Sequence, residues 1–94
     1  MSDHLDHTFF HALLNTSFQA TDPVAVKLEL VQAKETGFGS PQSPGFALLF
    51  TGPLAPALEQ GVHRLETAHA VVMDIFLVPV ARRADHMEYE AIFN

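Results

Sequence analysis

The stretch Val71-Val72-Met73-Asp74-Ile75-Phe76-Leu77-Val78-Pro79-Val80, followed by Ala81-Arg82-Arg83-Ala84-Asp85-His86 and then Met87-Glu88-Tyr89-Glu90-Ala91-Ile92-Phe93-Asn94, decides the fold class. With a period of two, its first part sets Val71, Met73, Ile75 and Leu77 on one face. Val72, Asp74, Phe76, Val78 and Val80 fall on the other. The last part alternates Met87, Tyr89, Ala91 and Phe93 with Glu88 and Glu90. A charged turn between two such runs is the pattern of two antiparallel strands. Pro79 has no N–H to give to a ladder, so it marks an edge, a bulge or the strand's end. The closing residues read as part of the sheet rather than as a tail.

Period-two patterning continues toward the N-terminus. Val62 to Thr67 predicts a shorter strand over about 62–67, and the long run one over about 71–80. Phe46, Leu48 and Phe50 alternate with Ala47, Leu49 and Thr51, a strand over about 45–51 that Gly52-Pro53 breaks. Val24, Val26, Leu28 and Leu30 alternate with Ala25, Lys27, Glu29 and Val31, a half-buried strand over about 24–33. Residues 16–20 form a further short strand, and 87–93 close the set. Lys34 to Gly45, rich in Gly, Ser and Pro, reads as an irregular loop, as does the stretch through Pro56 to Gly61. Ahead of all this, Leu5, Phe9, Ala12 and Leu13 share one face at helical spacing, with Phe10 and Leu14 to its side, predicting a helix over about 3–14. Asp3, Asp6 or Thr8 can cap it, and Asn15 suits its end. Six strands, one short N-terminal helix and no interleaved helices predict a mainly β single domain over 1–94, a small antiparallel barrel or a sandwich.

Composition narrows the function classes. Five basic residues against eleven acidic ones give a formal charge of −6, a field that repels phosphate backbones and anionic lipid. The basic cluster Arg82-Arg83 stands beside Asp85, too little for a nucleic-acid footprint. There are no cysteines, so neither disulfides nor thiolate metal sites enter. The acidic start Met1-Ser2-Asp3-His4-Leu5-Asp6 lacks the basic and apolar regions of a signal peptide, and no apolar run reaches membrane-helix length. A soluble, cytoplasmic protein is the default expectation, with neither nucleic acid nor membrane as a partner.

Four blocks occur in order: Phe46-Ala47-Leu48-Leu49-Phe50-Thr51-Gly52-Pro53, Gln60-Gly61-Val62-His63-Arg64-Leu65-Glu66, Phe76-Leu77-Val78-Pro79-Val80 and Tyr89-Glu90-Ala91-Ile92-Phe93-Asn94. Together they resemble a family of short bacterial proteins catalogued as a domain of unknown function. Its members read F-x-L-x-F-x-G-P, Q-G-x-x-x-L-E-H, F-L-V-P-V and Y-E-A-[VI]-F-N, and carry a short N-terminal helix followed by a phenylalanine, here Phe18. This sequence departs at Thr67, where the pattern has histidine. The resemblance implies a small all-β fold with no assigned activity, and an association with phage-tail-like genes that favours a structural role.

Candidate chemistry is sparse. His4, His7 and His11 fall at i, i+3 and i+7 on the helix, a spacing that suits imidazole ligation. The stripe lies opposite Leu5, Phe9 and Leu13, so a solvated polar face is the preferred reading. His63, His69 and His86 fall on a strand and in turns. Glu88 and Glu90 share a strand face that reads as solvated, and Asp74, inside an apolar run, reads as facing outward. Ser40 and Ser43 lack a nucleophile motif, and Gly37-Phe38-Gly39 lacks a dinucleotide loop's third glycine. No catalytic residue, metal site or cofactor is expected.

What stands out is a surplus of apolar residues on the face that should be polar: Val31, Leu49, Phe76, Val78, Val80 and Ile92. Either the N-terminal helix covers them or they form a surface for a protein partner or for self-association as a homodimer. The expected function is a non-enzymatic interaction or structural accessory domain, of a phage-tail-like or cell-surface assembly. A small-ligand-binding barrel, with its mouth near 34–45 and 52–61, is the second reading, and an unrecognised hydrolase the third.

Overall fold

The computed structural model describes residues 6–40 and 43–93, with side chains at 38–40 and 43–44 left aside. A short helix α1 (His7–His11) precedes six strands: β1 (Ser17–Asp22), β2 (Val26–Ser40), β3 (Ser43–Gly52), β4 (Gly61–Thr67), β5 (Val72–Arg82) and β6 (Met87–Phe93). Every neighbouring pair is antiparallel, and the order β1-β2-β3-β6-β5-β4 closes on itself as a barrel. Of barrel and sandwich, it is the barrel. Closure is made by β1 and β4, with Phe18 opposite Thr67 and Ala20 opposite Leu65.

Alternation then divides every strand into inside and outside. Phe18, Ala20, Leu28, Leu30, Phe46, Leu48, Phe50, Leu65, Met73, Ile75, Leu77, Tyr89 and Ala91 are buried in one cluster. A six-stranded barrel is narrow enough for such side chains to fill it. The predicted inner row of the long strand is correct from Met73 to Leu77, and so is the inner row of β6. Pro79 sits opposite Tyr89 beside an irregularity that leaves Val80 as an extra residue, so the strand continues through proline to Arg82 by way of a bulge.

Two elements differ from the sequence reading. Gly, Ser and Pro predict a loop from Lys34 to Gly45, yet β2 and β3 continue through most of it as a hairpin, with Gly39 opposite Pro44 and Ser40 opposite Ser43. Residues 41 and 42 lie outside the described residues. Here glycine shifts the ladder instead of ending it: Gly37, at φ +86, falls inside an irregularity between Glu35 and Gly39. A second irregularity leaves Val31 unpaired between Leu30 and Gln32.

The helix is also shorter than the predicted 3–14. It spans His7–His11, and positions 3–5 lie outside the described residues. Asp6, of the three candidate caps, accepts the Phe9 N–H at 2.9 Å. Asn15 takes φ +67, as its place at the turn requires, and its N–H donates to the Leu30 carbonyl at 2.6 Å. The face turned to the core is that of Phe10, with no exposed surface, and not a face centred on Phe9 and Leu13, which are half-buried. Phe10 packs among Phe18, Phe46 and Phe93, ring centroids 5.6–6.4 Å away. With about one and a half turns, helical periodicity is a weak guide; the open end of the barrel decides which ring enters.

Beyond β3, residues 53–60 cover the barrel interior where β3 ends and β4 begins. Leu58 is buried, and its N–H donates to the Tyr89 hydroxyl at 2.8 Å. Gly52 is needed just before this crossing, because a Cβ there would stand 2.6 Å from Leu28 Cδ2. Phe10→Ala is therefore expected to lower the unfolding free energy by about 3–4 kcal/mol. Gly52→Ala should cost about 1–2 kcal/mol, since Leu28 must find another rotamer in a full core. Urea denaturation followed by circular dichroism measures both.

Candidate interaction surface

The outer faces of β4, β5, β6 and β3 bring the surplus apolar residues together. Val62 on β4 stands opposite Phe76 on β5, Val78 on β5 opposite Glu90 on β6, and Glu90 in turn opposite Leu49 on β3. Two residues further along β6, Ile92 stands opposite Ala47. At about 4.8 Å per strand spacing, the row runs about 14 Å across the barrel wall. Val62 is 60% exposed, Phe76 51% and Ile92 53%, while Leu49 and Val78 are half-buried beside them. Val80, the bulge residue, is exposed further along β5, and Val31 lies at the bulge of β2.

The helix does not cover this wall. Among the described residues α1 meets β2 and β3, with Phe10 turned into the barrel end. Of the two explanations for the surplus, internal coverage therefore fails for Phe76 and Ile92. Sequence reading also missed Val62, and it left Val72, which it had set on the outer face, out of the surplus; both are more than half exposed. The signal was present in Val62-His63-Arg64-Leu65-Glu66-Thr67, where histidine and threonine share the inner row with leucine and valine falls outside.

Those inward polar groups are accommodated locally. The Thr67 hydroxyl accepts the N–H groups of His69 and Val71, both at 3.2 Å, and ties the β4–β5 turn. His63 is 3% exposed, and its Nε2–H donates to the Glu59 carbonyl at 2.7 Å, holding the 53–60 segment to the barrel. Its Nδ1 finds no partner among the described residues. A cleft of about 360 Å³ beside it is lined by Pro23, Val24, Glu59, Gln60 and Val62 among others. A more open groove of about 460 Å³ runs past Ser17, Lys27, Glu29 and Asp85. In the groove Ser17 stands opposite Glu29, but among the described residues no hydrogen bond joins its hydroxyl to Lys27, Glu29 or Asp85.

The other titratable candidates are placed as follows by the described residues. Asp74 faces outward and pairs with Arg64 at 3.0 Å, an exposed pair of modest worth. Its hydrogen bond and charge raise the already high affinity of Arg64 for its proton. His7 is not the solvated residue its spacing suggested. Its ring lies 5.9 Å from that of Phe46, Nε2 is 3.2 Å from the Ala33 carbonyl, and Nδ1 is 3.8 Å from Glu35. His11 is exposed, and His4 lies outside the described residues. Among the described residues no three histidine, aspartate or glutamate side chains gather as metal ligands.

Glu88 and Glu90, two apart on one face, differ. Glu88 is held by Arg83 at 3.3 Å and by His86 at 3.1 Å, whereas the Glu90 carboxylate has no ion pair or hydrogen bond among the described residues. His86, as imidazolium, also donates Nδ1–H to Asp85 at 2.7 Å. The side-chain outer row thus carries one engaged carboxylate and one bare one.

With the wall and its charges in place, the chain is shown to belong to the family described as Domain of unknown function (DUF6916), which matches residues 5–93. No curated protein and no solved structure matches the chain. No helix among the described residues is long and apolar enough to cross a membrane.

The turn cluster sets a pH dependence. Hydrogen bonds to Asp85 and then Glu88 push the His86 imidazolium up from its ordinary range. Arg83 first, then His86, holds Glu88 below the usual carboxylate range, and His86 does the same to Asp85. The His86 contribution is present below its unfolded value and fades as pH rises through its raised midpoint. That of the carboxylates is present above their unfolded values and fades as pH falls, so the cluster is complete in mildly acidic solution. An NMR titration of the His86 ring is expected to show a midpoint above the ordinary 6.5, moving back toward it in Asp85→Asn and in Glu88→Gln.

Proposed function

We propose that this chain is a non-enzymatic protein-interaction domain, an accessory or structural subunit that docks through the outer wall of β4, β5, β6 and β3. One observation carries the reading: Val62, Phe76, Val78, Leu49 and Ile92 gather, with Glu90 among them, on the outer wall of a barrel whose interior is lined by a separate cluster of buried side chains. Burying Phe76 or Ile92 would add nothing to the core, and leaving them in water forfeits about 25 cal/mol for each Å² of apolar surface. A contiguous exposed patch rimmed by charge is the usual mark of a protein contact, and here Arg64, Asp74, Glu66 and Glu88 supply the rim. An assembly of the phage-tail-like or cell-surface kind, made of many small subunits, is the setting this fits.

Two features support the non-enzymatic part. The barrel interior holds side chains, and the charged pairs stand on the outer surface rather than in a cleft that would split their pKa values. The partner is a different protein rather than a second copy. Each copy carries a formal charge of −6, and an isologous contact would set like against like.

Placing the photo-cross-linker p-benzoylphenylalanine at Phe76 in the cell, with Glu29 on the far wall as the control position, tests the reading. A discrete adduct is expected from position 76 alone, and it should disappear when Val78→Glu is added. Adducts shared by both positions would sink the proposal. An adduct with the mass of two chains, matched by a dimer in light scattering, would make the wall a self-interface instead.

A further inference from the structure

Resting on that interaction reading, we propose that the partner presents an arginine ringed by apolar side chains, and that Glu90 is the residue that selects it. Glu90 is the half-buried carboxylate within the row, opposite Val78 on one side and Leu49 on the other, with Ile92 two residues along its own strand. Two other carboxylates on the wall are occupied, Asp74 by Arg64 and Glu88 by Arg83 and His86, and Glu66 stands away from the row, opposite Val72 at the other end of β4. The Glu90 carboxylate has no ion pair or hydrogen bond among the described residues. Closing a purely apolar face over it would strip water from the carboxylate and give nothing in return, which penalises such partners.

A cation delivered with the apolar contact removes that penalty. Arginine fits better than lysine, because its planar guanidinium can meet both carboxylate oxygens and is more weakly hydrated. It also discriminates: a partner with a neutral or acidic residue at this point leaves Glu90 buried and unpaired. A second copy of this chain brings another Glu90 to the same wall, so the residue also disfavours self-association.

The probe is the strand peptide acetyl-Thr-Leu-Thr-Arg-Thr-Leu-Thr-amide, which sets Leu, Arg and Leu on one face, together with its twin carrying neutral citrulline for arginine. Both are titrated into the whole chain and followed by amide NMR shifts, for wild type and Glu90→Gln. The arginine peptide is expected to shift Leu49, Phe76, Val78 and Ile92 and to bind at least fivefold more tightly than the citrulline twin. Glu90→Gln should abolish that difference with unchanged melting. In Glu90→Arg, a glutamate peptide should take over as the tighter ligand. Equal affinities of the two peptides on this wall would overturn the choice of cation and leave the interaction surface standing. No shift on the wall from either peptide at 5 mM would overturn both.

Discussion

Pairing of β1 with β4 is the constraint on which the rest depends. Until Phe18 meets Thr67 and Ala20 meets Leu65, the six strands are a sheet with two faces and two edges; afterwards they have an inside and an outside. The inside is small. It takes one side chain from every second position of each strand, and once Phe18, Leu28, Leu30, Phe50, Leu65, Leu77 and Tyr89 are in place there is no room for the other rows. Closure also fixes where the helix goes. With the wall continuous, Phe10 enters through the barrel end, among Phe18, Phe46 and Phe93, and so α1 leaves the outer wall of β5 uncovered.

The same constraint explains the polar residues inside and the apolar ones outside. Strand β4 is short and its register is set by both β1 and β5, so His63 and Thr67 face inward although Val62 is the better core residue. Shifting β4 by one residue would bury Val62 but would also bury Arg64 and Glu66. Local hydrogen bonds make the actual register tolerable: Thr67 holds the following turn, and His63 holds the 53–60 segment. The row outside is then what remains of a strand rich in Val, Ile and Phe, and its charges decide its behaviour. Asp74, Glu88 and Glu90 space the apolar side chains, and the net charge of −6 opposes association with like copies.

Much of this was legible from residues alone. The alternation in β5 and β6, the Asp6 cap, the break at Gly52 and the outward Asp74 follow from periods and local chemistry that act within a few residues. The family match spans residues 5–93, nearly the whole chain. The hairpin between Lys34 and Gly45 was not legible, because glycine at Gly37 serves a bulge as readily as a loop, and only pairing across the strands tells the two apart. His7 was misplaced for a similar reason: a five-residue helix has no face of its own until the barrel supplies one.

Sequence by itself determined the inward rows of β5 and β6 and the surplus of apolar side chains opposite them, since these depend on the backbone period and on where each side chain prefers to be. Tertiary structure decided that the sheet closes, that the helix plugs an end, and that Phe76, Val62, Ile92 and Glu90 share one uncovered wall. Those outcomes depend on which strands meet, β1 with β4 and β3 with β6, and contacts between distant segments leave no local trace in the order of residues.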